Sequence, residues 1–323
     1  MQQKQQFDKL QSYVSGKIIG QEELVNRLLV ALLADGHLLV EGAPGLAKTR
    51  AIQMLSQVLE GDFHRVQFTP DLLPADITGT EIFQPQTGEF EFRKGPLFHN
   101  MVLADEINRA PAKVQSALLE AMAERQITVA GVTYKLAEPF MVMATQNPIE
   151  QEGTYHLPEA QLDRFLMHVR VGYPDLEAEK EILRLNRAEA LQDIQHQAIP
   201  PEVILSKDNI MAARQEVMQL YMADSVEEYL LQLVMASREP QAYSSELANL
   251  IAYGASPRAT MALDRCARAH AWLKGRDYVG PDDVQSIAHD VLRHRILLSF
   301  EGEASGKTSD QVIDTLLTLV AVP

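Results

Sequence analysis

The chain of 323 residues carries 29 lysines and arginines against 44 aspartates and glutamates, which gives a formal net charge of −15. Its contents of 46% hydrophobic and 23% charged residues are those of an ordinary globular protein. Proteins that bind nucleic acid generically present a basic face, and this acidic chain has no run of lysines and arginines. Generic nucleic-acid binding is therefore not expected.

The cysteine content and the apolar runs bear on the compartment. The single cysteine, Cys266, cannot form an internal disulfide, which favours a reducing compartment, and its helical apolar context predicts a core residue. The first twenty residues are polar and rich in glutamine, unlike a signal peptide. Apolar runs such as residues 28–34 are too short to cross a bilayer. We therefore expect a cytoplasmic protein without membrane insertion.

In chain order, short strand-like runs alternate with helical patterns up to about residue 186. The helical pattern of residues 109–125 places its apolar side chains on one face. The alternation predicts a parallel sheet covered by helices. The runs that predict buried strands are brief, contain β-branched or aromatic residues, and are bounded by Gly, Pro or Asp. They are HLLVEG (37–42), FHRVQF (63–68), MVLADE (101–106), FMVMATQN (140–147) and MHVRVGYP (167–174).

Two further segments of this part of the chain predict β-hairpins. Residues 80–92 (TEIFQPQTGEFEF) would fold around Thr87-Gly88, and residues 127–136 (ITVAGVTYKL) would fold around Gly131. The sheet needs neither hairpin. The sequence therefore leaves open whether they have a function or are surface decoration.

The pattern changes towards the C-terminus. Residues 191–207, with Pro200-Pro201 at their centre, predict a linker. Beyond the linker strand signals largely vanish, and residues 224–238, 256–275 and 281–296 show helical apolar spacing. We expect a small helical domain here.

Residues 42–49, GAPGLAKT, nearly match the phosphate-binding pattern G-x-x-x-x-G-K-[ST], except that Ala47 replaces the second glycine. The segment lies between an apolar run and a helical pattern, so its backbone N–H groups would face an anion. We expect Lys48 to bridge the β- and γ-phosphates and Thr49 to ligate Mg²⁺. Ala47 would be tolerated if it had helical dihedral angles. The alternative interpretation is a Gly/Pro turn that caps a helix. The predicted binding residues are Gly42, Ala43, Pro44, Gly45, Leu46, Ala47, Lys48, Thr49 and Arg50.

A second motif ends the apolar run of residues 101–106 with two carboxylates, Asp105 and Glu106. Asp105 can hold Mg²⁺ directly or through water, and Glu106 can polarise the attacking water. A lone Asp-Glu pair is usually solvated, but a pair that ends a buried strand after a phosphate loop indicates an ATPase.

Five segments carry a family resemblance: GAPGLAKT, LADEINRAP, ATQNP, LPEAQLDRF and GASPRA, in this order. Together they resemble the MoxR family of AAA+ ATPases over nearly the whole chain. Alanine before the lysine is the usual form in that family. The two hairpins are similar to the insertions of its helix-2-insert branch. The resemblance implies an α/β fold, with a P-loop AAA+ αβα domain at residues 1–195, in three layers around a parallel sheet, and an all-α lid at residues 196–323.

The resemblance also implies roles for residues outside the two motifs. Asn147 matches sensor 1, which orients the lytic water, although an Asn that ends a strand before Pro148 fits as well. Arg164 matches the arginine finger, which completes the site of the neighbouring subunit, although a surface ion-pair partner fits as well. Arg258 matches sensor 2, with Ser256 as helix N-cap. Ile19 and Gly20 match the adenine-packing segment, or form a plain entry into a helix.

The implied function is Mg²⁺-dependent ATP hydrolysis in a hexameric ring that remodels or matures client protein complexes. The family's clients are typically proteins with von Willebrand factor A domains, or metalloenzyme complexes. Three alternatives stay open: a nucleic-acid motor, a motor subunit of a metal chelatase, and a nucleotide-gated switch that hydrolyses too slowly to do work.

Overall fold

The structure is a computed structural model that describes residues 2–149, 153–195 and 204–323. The chain forms two compact units, one of Met1–His156 with Val169–Ala212 and one of Leu157–His168 with Ala213–Pro323. The centre of the predicted linker, residues 196–203 with Pro200-Pro201, lies outside the described residues, and its first residues are helical. The division into domains at residues 195 and 196 stays a prediction.

Helices and strands alternate along the chain up to residue 195, and helices dominate after residue 204. Up to residue 195 they are α1 (Gln2–Ser15), α2 (Glu22–Leu33), β1 (Leu38–Gly42), α3 (Lys48–Gln57), β2 (Phe63–Gln67), α4 (Pro74–Thr78), β3 (Gly79–Gln84), β4 (Glu89–Lys94), β5 (Met101–Asp105), α5 (Ala112–Glu124), β6 (Gln126–Val129), β7 (Val132–Lys135), β8 (Met141–Gln146), α6 (Glu159–Leu162), β9 (Met167–Val171) and α7 (Leu176–Ile194). From residue 204 they are α8 (Lys207–Met218), β10 (Tyr221–Met222), α9 (Asp224–Arg238), α10 (Ser245–Leu250), β11 (Ile251–Tyr253), α11 (Pro257–Leu273), β12 (Tyr278–Val279), α12 (Pro281–Leu292), β13 (Leu297–Leu298), α13 (Phe300–Ala304) and α14 (Ser309–Leu319).

The five predicted strands form one sheet in the order β2-β5-β8-β1-β9. β2 pairs in parallel with β5, β5 with β8, and β8 with β1. β5 and β8 are buried along nearly their whole length, as expected for strands covered on both faces. The predicted parallel sheet is confirmed. The expectation that all five strands are buried is wrong for β2, which lies at the edge of the sheet and is buried only at Val66. Parallel strands end at the same edge, so β1, β5 and β8 bring the ends of three motifs together.

Helices on this sheet use the faces that their apolar spacing predicts. In α5 the buried residues include Val114, Leu118 and Met122. The polar N-terminal segment also forms a helix, α1, in which Phe7 and Leu10 are fully buried and Val14 nearly so. Their spacing of three and four residues places them on one face. The high glutamine content concealed this amphipathic helix.

Both predicted hairpins are present. β3 and β4 pair antiparallel around Thr87-Gly88, and β6 and β7 pair antiparallel around a turn that contains Gly131. Aromatic packing joins the hairpins, because the Phe92 ring stacks on the Tyr134 ring with centroids 4.3 Å apart. The two insertions are therefore one packed body rather than two separate loops.

The second unit is mainly helical, as predicted, with α9, α11, α12 and α14 as its main helices. Two short strand pairs, β10 with β12 and β11 with β13, are additions that the sequence did not indicate. Cys266 is fully buried in α11, which confirms its place in the core. None of the helices in the described ranges combines the length and the apolar character that a bilayer crossing requires.

Candidate functional site

The phosphate-loop segment connects β1 to α3 as the motif requires. At Gly42 an added Cβ would lie 2.8 Å from the carbonyl oxygen of Val171, so only glycine lets β9 approach this closely. The first residue of α3 is Lys48, and its Nζ donates hydrogen bonds to the carbonyl oxygens of Gly42 and Ala43. The N–H groups of the first helical turn have no acceptor within the helix, which suits the binding of an anion.

The backbone at Ala47 corrects the expectation of helical dihedral angles. Ala47 is the N-cap of α3 and is left-handed, with φ +56° and ψ 15°. The chain has to turn sharply from the loop into the helix, and a left-handed residue makes this turn. Glycine adopts that conformation freely, whereas alanine loses about 1–2 kcal/mol. Ala47 therefore stores backbone strain beside the phosphate-binding residues.

Ala47→Gly is expected to raise the free energy of unfolding by ~0.5–1 kcal/mol, because relief of the left-handed strain exceeds the entropy that glycine adds to the unfolded chain. Urea unfolding followed by circular dichroism measures this difference. The matched control is Ala188→Gly at an exposed position in the middle of α7. There the same change should lower the free energy of unfolding by about 1 kcal/mol. A less stable Ala47→Gly variant would contradict the assignment of strain.

Asp105 ends β5 with its side chain largely buried. Its Oδ1 accepts a hydrogen bond from Thr145 Oγ1 at 2.5 Å. Its Oδ2 accepts from Arg65 Nη2 at 2.7 Å and lies 3.4 Å from Thr49 Oγ1. Both oxygens of the carboxylate are thus fixed, and a hydroxyl of the phosphate loop lies beside it.

Glu106 follows with a left-handed backbone, φ +57°. Its N–H donates to Thr145 Oγ1 at 2.9 Å. Its side-chain Oε2 accepts from Gln67 Nε2 at 2.8 Å and from Arg109 Nη1 at 2.9 Å. The carboxylate is only partly buried and is held by two donors at the wall of a cavity.

That cavity has a volume of about 490 Å³ and contains the predicted catalytic residues of the first unit. Asn147 lines it and is buried, and its Oδ1 accepts the N–H of Ile149 at 3.1 Å. Asn147 therefore both stabilises the turn around Pro148 and faces the cavity. The lining residues are Pro44, Gly45, Leu46, Ala47, Lys48, Thr49, Arg50, Gln53, Asp105, Glu106, Thr145, Gln146 and Asn147.

A second cavity of about 250 Å³ lies on the other side of the phosphate loop. It is lined by apolar side chains, among them Ile18, Ile19 and Ile182, and it shares Pro44 to Ala47 and Arg50 with the larger cavity. Gly20 lies beside it, where an added Cβ would approach Ala178 at 2.9 Å. A largely apolar cavity next to the phosphate loop suits a nucleobase.

An ion-pair cluster supports this second cavity. Arg50 Nη2 contacts both carboxylate oxygens of Glu189 at 2.6 and 2.8 Å, and Lys17 Nζ contacts one of them at 3.2 Å. Burial alone would raise the pKa of Glu189, but the hydrogen bonds and charges of Arg50 and Lys17 outweigh it and lower the pKa. The cluster joins α3 to α7 around the predicted base-binding segment.

Arg164 and Arg258 belong to the second unit. Arg164 is half-buried just after α6. Arg258 is the second residue of α11, whose N-cap is Ser256 as predicted, and its Nη1 lies 3.3 Å from Asp163 Oδ2. Asp163 also accepts hydrogen bonds from Ser256 Oγ at 2.9 Å and from Arg295 Nε at 2.8 Å. The roles of Arg164 and Arg258 stay predictions.

Four residues that contact the two carboxylate-bearing residues were not predicted from the sequence: Arg65, Gln67, Arg109 and Thr145. Arg109 lies three residues after Glu106 in the same motif, so its ion pair had a local signal. The others come from neighbouring strands β2 and β8, and only the pairing of these strands with β5 places them here.

The residues present fit a magnesium ion. Thr49 and Asp105 offer hard oxygen donors that lie side by side at the cavity, a donor set that Mg²⁺ uses together with phosphates. Asp105 Oδ2 already attracts a cationic group, the guanidinium of Arg65. A positive charge at this oxygen is thus compatible with the local structure.

Comparison with known proteins agrees with this geometry. Residues 37–167 match the ATPase family associated with various cellular activities (AAA), and residues 245–316 match the AAA lid domain. Chaperone MoxR1 of Mycobacterium tuberculosis is 45% identical over 310 residues, which are 95% of this chain and 79% of that protein. The Bacillus subtilis protein YeaC is 42% identical over 315 residues, 98% of this chain and 94% of that protein. A crystal structure from Cytophaga hutchinsonii superposes with a TM-score of 0.91 at 45% identity, covering 99% and 96% of the two chains. The αβα domain, the helical lid and ATPase activity are thereby confirmed, and the chain belongs to the MoxR family of AAA+ ATPases.

Proposed function

We propose that this MoxR-type ATPase hydrolyses ATP with Mg²⁺ in a hexameric ring, and that it remodels or matures client protein complexes. The observation that carries the proposal is the cavity lined by Lys48, Thr49, Asp105, Glu106 and Asn147 together. The acidic net charge of −15 favours protein clients over nucleic acid. By family resemblance, the clients are proteins with von Willebrand factor A domains.

The five side chains that carry the proposal each have a defined chemical task. Lys48 and the N–H groups at the start of α3 bind the phosphates. Thr49 and Asp105 hold Mg²⁺, which would neutralise charge on the β- and γ-phosphates. Glu106 accepts the proton of the attacking water while Asn147 orients that water. The second cavity, which Ile19 lines, takes the adenine.

The second unit supplies two further cations. Arg164 would enter the site of a neighbouring subunit and stabilise charge in the transition state. Arg258 would act on the γ-phosphate of its own subunit. Hydrolysis would shift the lid against the sheet and move the paired hairpins, which transmit force to the client.

The specific ATPase activity is expected to rise with protein concentration and then level off, because a complete site needs two subunits. Removal of Mg²⁺ with EDTA should abolish turnover. Phosphate release, measured alongside sedimentation velocity, checks whether activity follows the assembled species. Constant specific activity from a monomer would refute the ring.

A pull-down with an ATP-bound, hydrolysis-deficient variant tests whether the retained client contains a von Willebrand factor A domain.

A further inference from the structure

Thr145 lies in β8, two residues before Asn147, and its side chain is buried. Its hydroxyl contacts both acidic residues of the neighbouring strand end. Oγ1 donates to Asp105 Oδ1 at 2.5 Å and accepts the N–H of Glu106 at 2.9 Å. One hydroxyl therefore connects the two carboxylate-bearing residues to β8, the strand that Asn147 directly follows.

The direction of these two hydrogen bonds follows from chemistry. A backbone N–H can only donate, so the Thr145 oxygen accepts from Glu106. The single hydroxyl hydrogen is then left for Asp105, whose ionised carboxylate can only accept. A threonine or serine hydroxyl meets both demands at once, and an aliphatic side chain of the same shape meets neither.

The backbone explains why this hydroxyl is needed. The parallel pairing of β5 with β8 ends at Ala104 and Ala144. Beyond it the chain turns left-handed at Glu106, and the Glu106 N–H finds a side chain instead of a strand carbonyl. The same turn directs the Glu106 side chain towards Gln67 and Arg109. The position of the Glu106 carboxylate thus depends on the hydrogen bond that the Glu106 N–H donates to Thr145.

We propose that Thr145 is a positioning residue for ATP hydrolysis, whose hydroxyl sets the Asp105 rotamer and the left-handed turn at Glu106 together. The inference rests on the proposed roles of Asp105 and Glu106. The second oxygen of Asp105 keeps Arg65 and Thr49 as neighbours without Thr145. The loss of the hydroxyl should therefore affect turnover more than metal affinity, and nucleotide binding without metal least.

The decisive comparison is Thr145→Val with Thr145→Ser in the full-length protein. Valine keeps the shape and removes the hydroxyl, and kcat is expected to fall ~10–100-fold, because a misplaced catalytic group costs about that much. Serine keeps the hydroxyl and should retain kcat within about threefold. Mn²⁺ affinity, measured by electron paramagnetic resonance in the presence of ADP, should fall several-fold with valine only.

Binding of a fluorescent ADP analogue in EDTA reports a folded phosphate loop and should be equal in all variants. If the valine variant loses this binding, Thr145→Ala replaces it in the same comparison with serine. Thr315→Val, at an exposed position of α14, controls for the loss of a threonine hydroxyl elsewhere. Wild-type kcat and Mn²⁺ affinity in Thr145→Val, or a serine variant as slow as the valine variant, would overturn the inference.

A parallel Glu106→Gln measurement separates this inference from the proposed function. Full turnover in Glu106→Gln would remove the base assignment and the proposed mechanism. Loss of turnover in Glu106→Gln combined with normal turnover in Thr145→Val would remove only the role of Thr145.

Discussion

Glu106→Gln is expected to lower kcat by ~10²–10⁴-fold while ATP still binds, because the amide cannot accept the proton of the attacking water. The amide keeps the size of the carboxylate and can still contact Gln67 and Arg109, so the cavity should retain its shape. The phosphate loop is not touched by the change. Steady-state phosphate release and equilibrium binding of ATP, measured on the same preparation, check the two halves of the expectation.

The matched control for this variant is Glu120→Gln, at an exposed position of α5. It removes the same charge from the surface and should leave both turnover and binding unchanged. Turnover of Glu106→Gln close to the wild-type rate would show that another group activates the water. Loss of ATP binding in the variant would instead show that Glu106 supports the nucleotide in the ground state.

Arg164→Ala is expected to reduce hydrolysis by ~10³–10⁵-fold with little effect on ATP affinity, since an arginine supplied from a neighbour acts mainly on the transition state. Arg164→Lys should restore little, because a lysine lacks the planar guanidinium that contacts several phosphate oxygens. Arg265→Ala, at an exposed position of α11 in the same unit, is the control for loss of a positive charge. Phosphate release and nucleotide titration measure the two quantities.

A mixing experiment tests whether the site is shared between subunits. Glu106→Gln protomers carry an intact Arg164, and Arg164→Ala protomers carry an intact Glu106. In mixed assemblies some interfaces combine both intact residues, so the mixture should hydrolyse ATP faster than either variant alone. A mixture that stays as inactive as its components, although sedimentation shows mixed assemblies, would refute the supply of Arg164 in trans.

Much of the sheet could be predicted because its strands come from short runs that contain β-branched or aromatic residues and are bounded by Gly, Pro or Asp. β5 and β8 are buried on both faces, so their sequences lack the polar alternation that would confuse a strand with a surface segment. The helix α1 could not be predicted in the same way. Its few apolar residues are diluted by glutamines, and only their packing shows which face they share.

The site residues also differ in how well the sequence predicts them. The phosphate loop and the pair Asp105-Glu106 are contiguous motifs and could be predicted directly. Arg65 and Thr145 contact Asp105 from strands that lie about forty residues before and after it in the sequence. No local sequence pattern could therefore predict these contacts. The dihedral angles of Ala47 depend on how the loop enters α3, which a sequence pattern does not encode.

The stacking of Phe92 on Tyr134 has a practical consequence for the dissection of the hairpins. Deleting either insertion by itself would remove the stacking partner of an aromatic ring of the other. The resulting loss of activity would reflect the lost packing between the hairpins as well as any lost contact with a client protein. Point changes at Phe83 or Phe90, two exposed rings that contact each other and are not partners in the stack of Phe92 on Tyr134, separate the two effects.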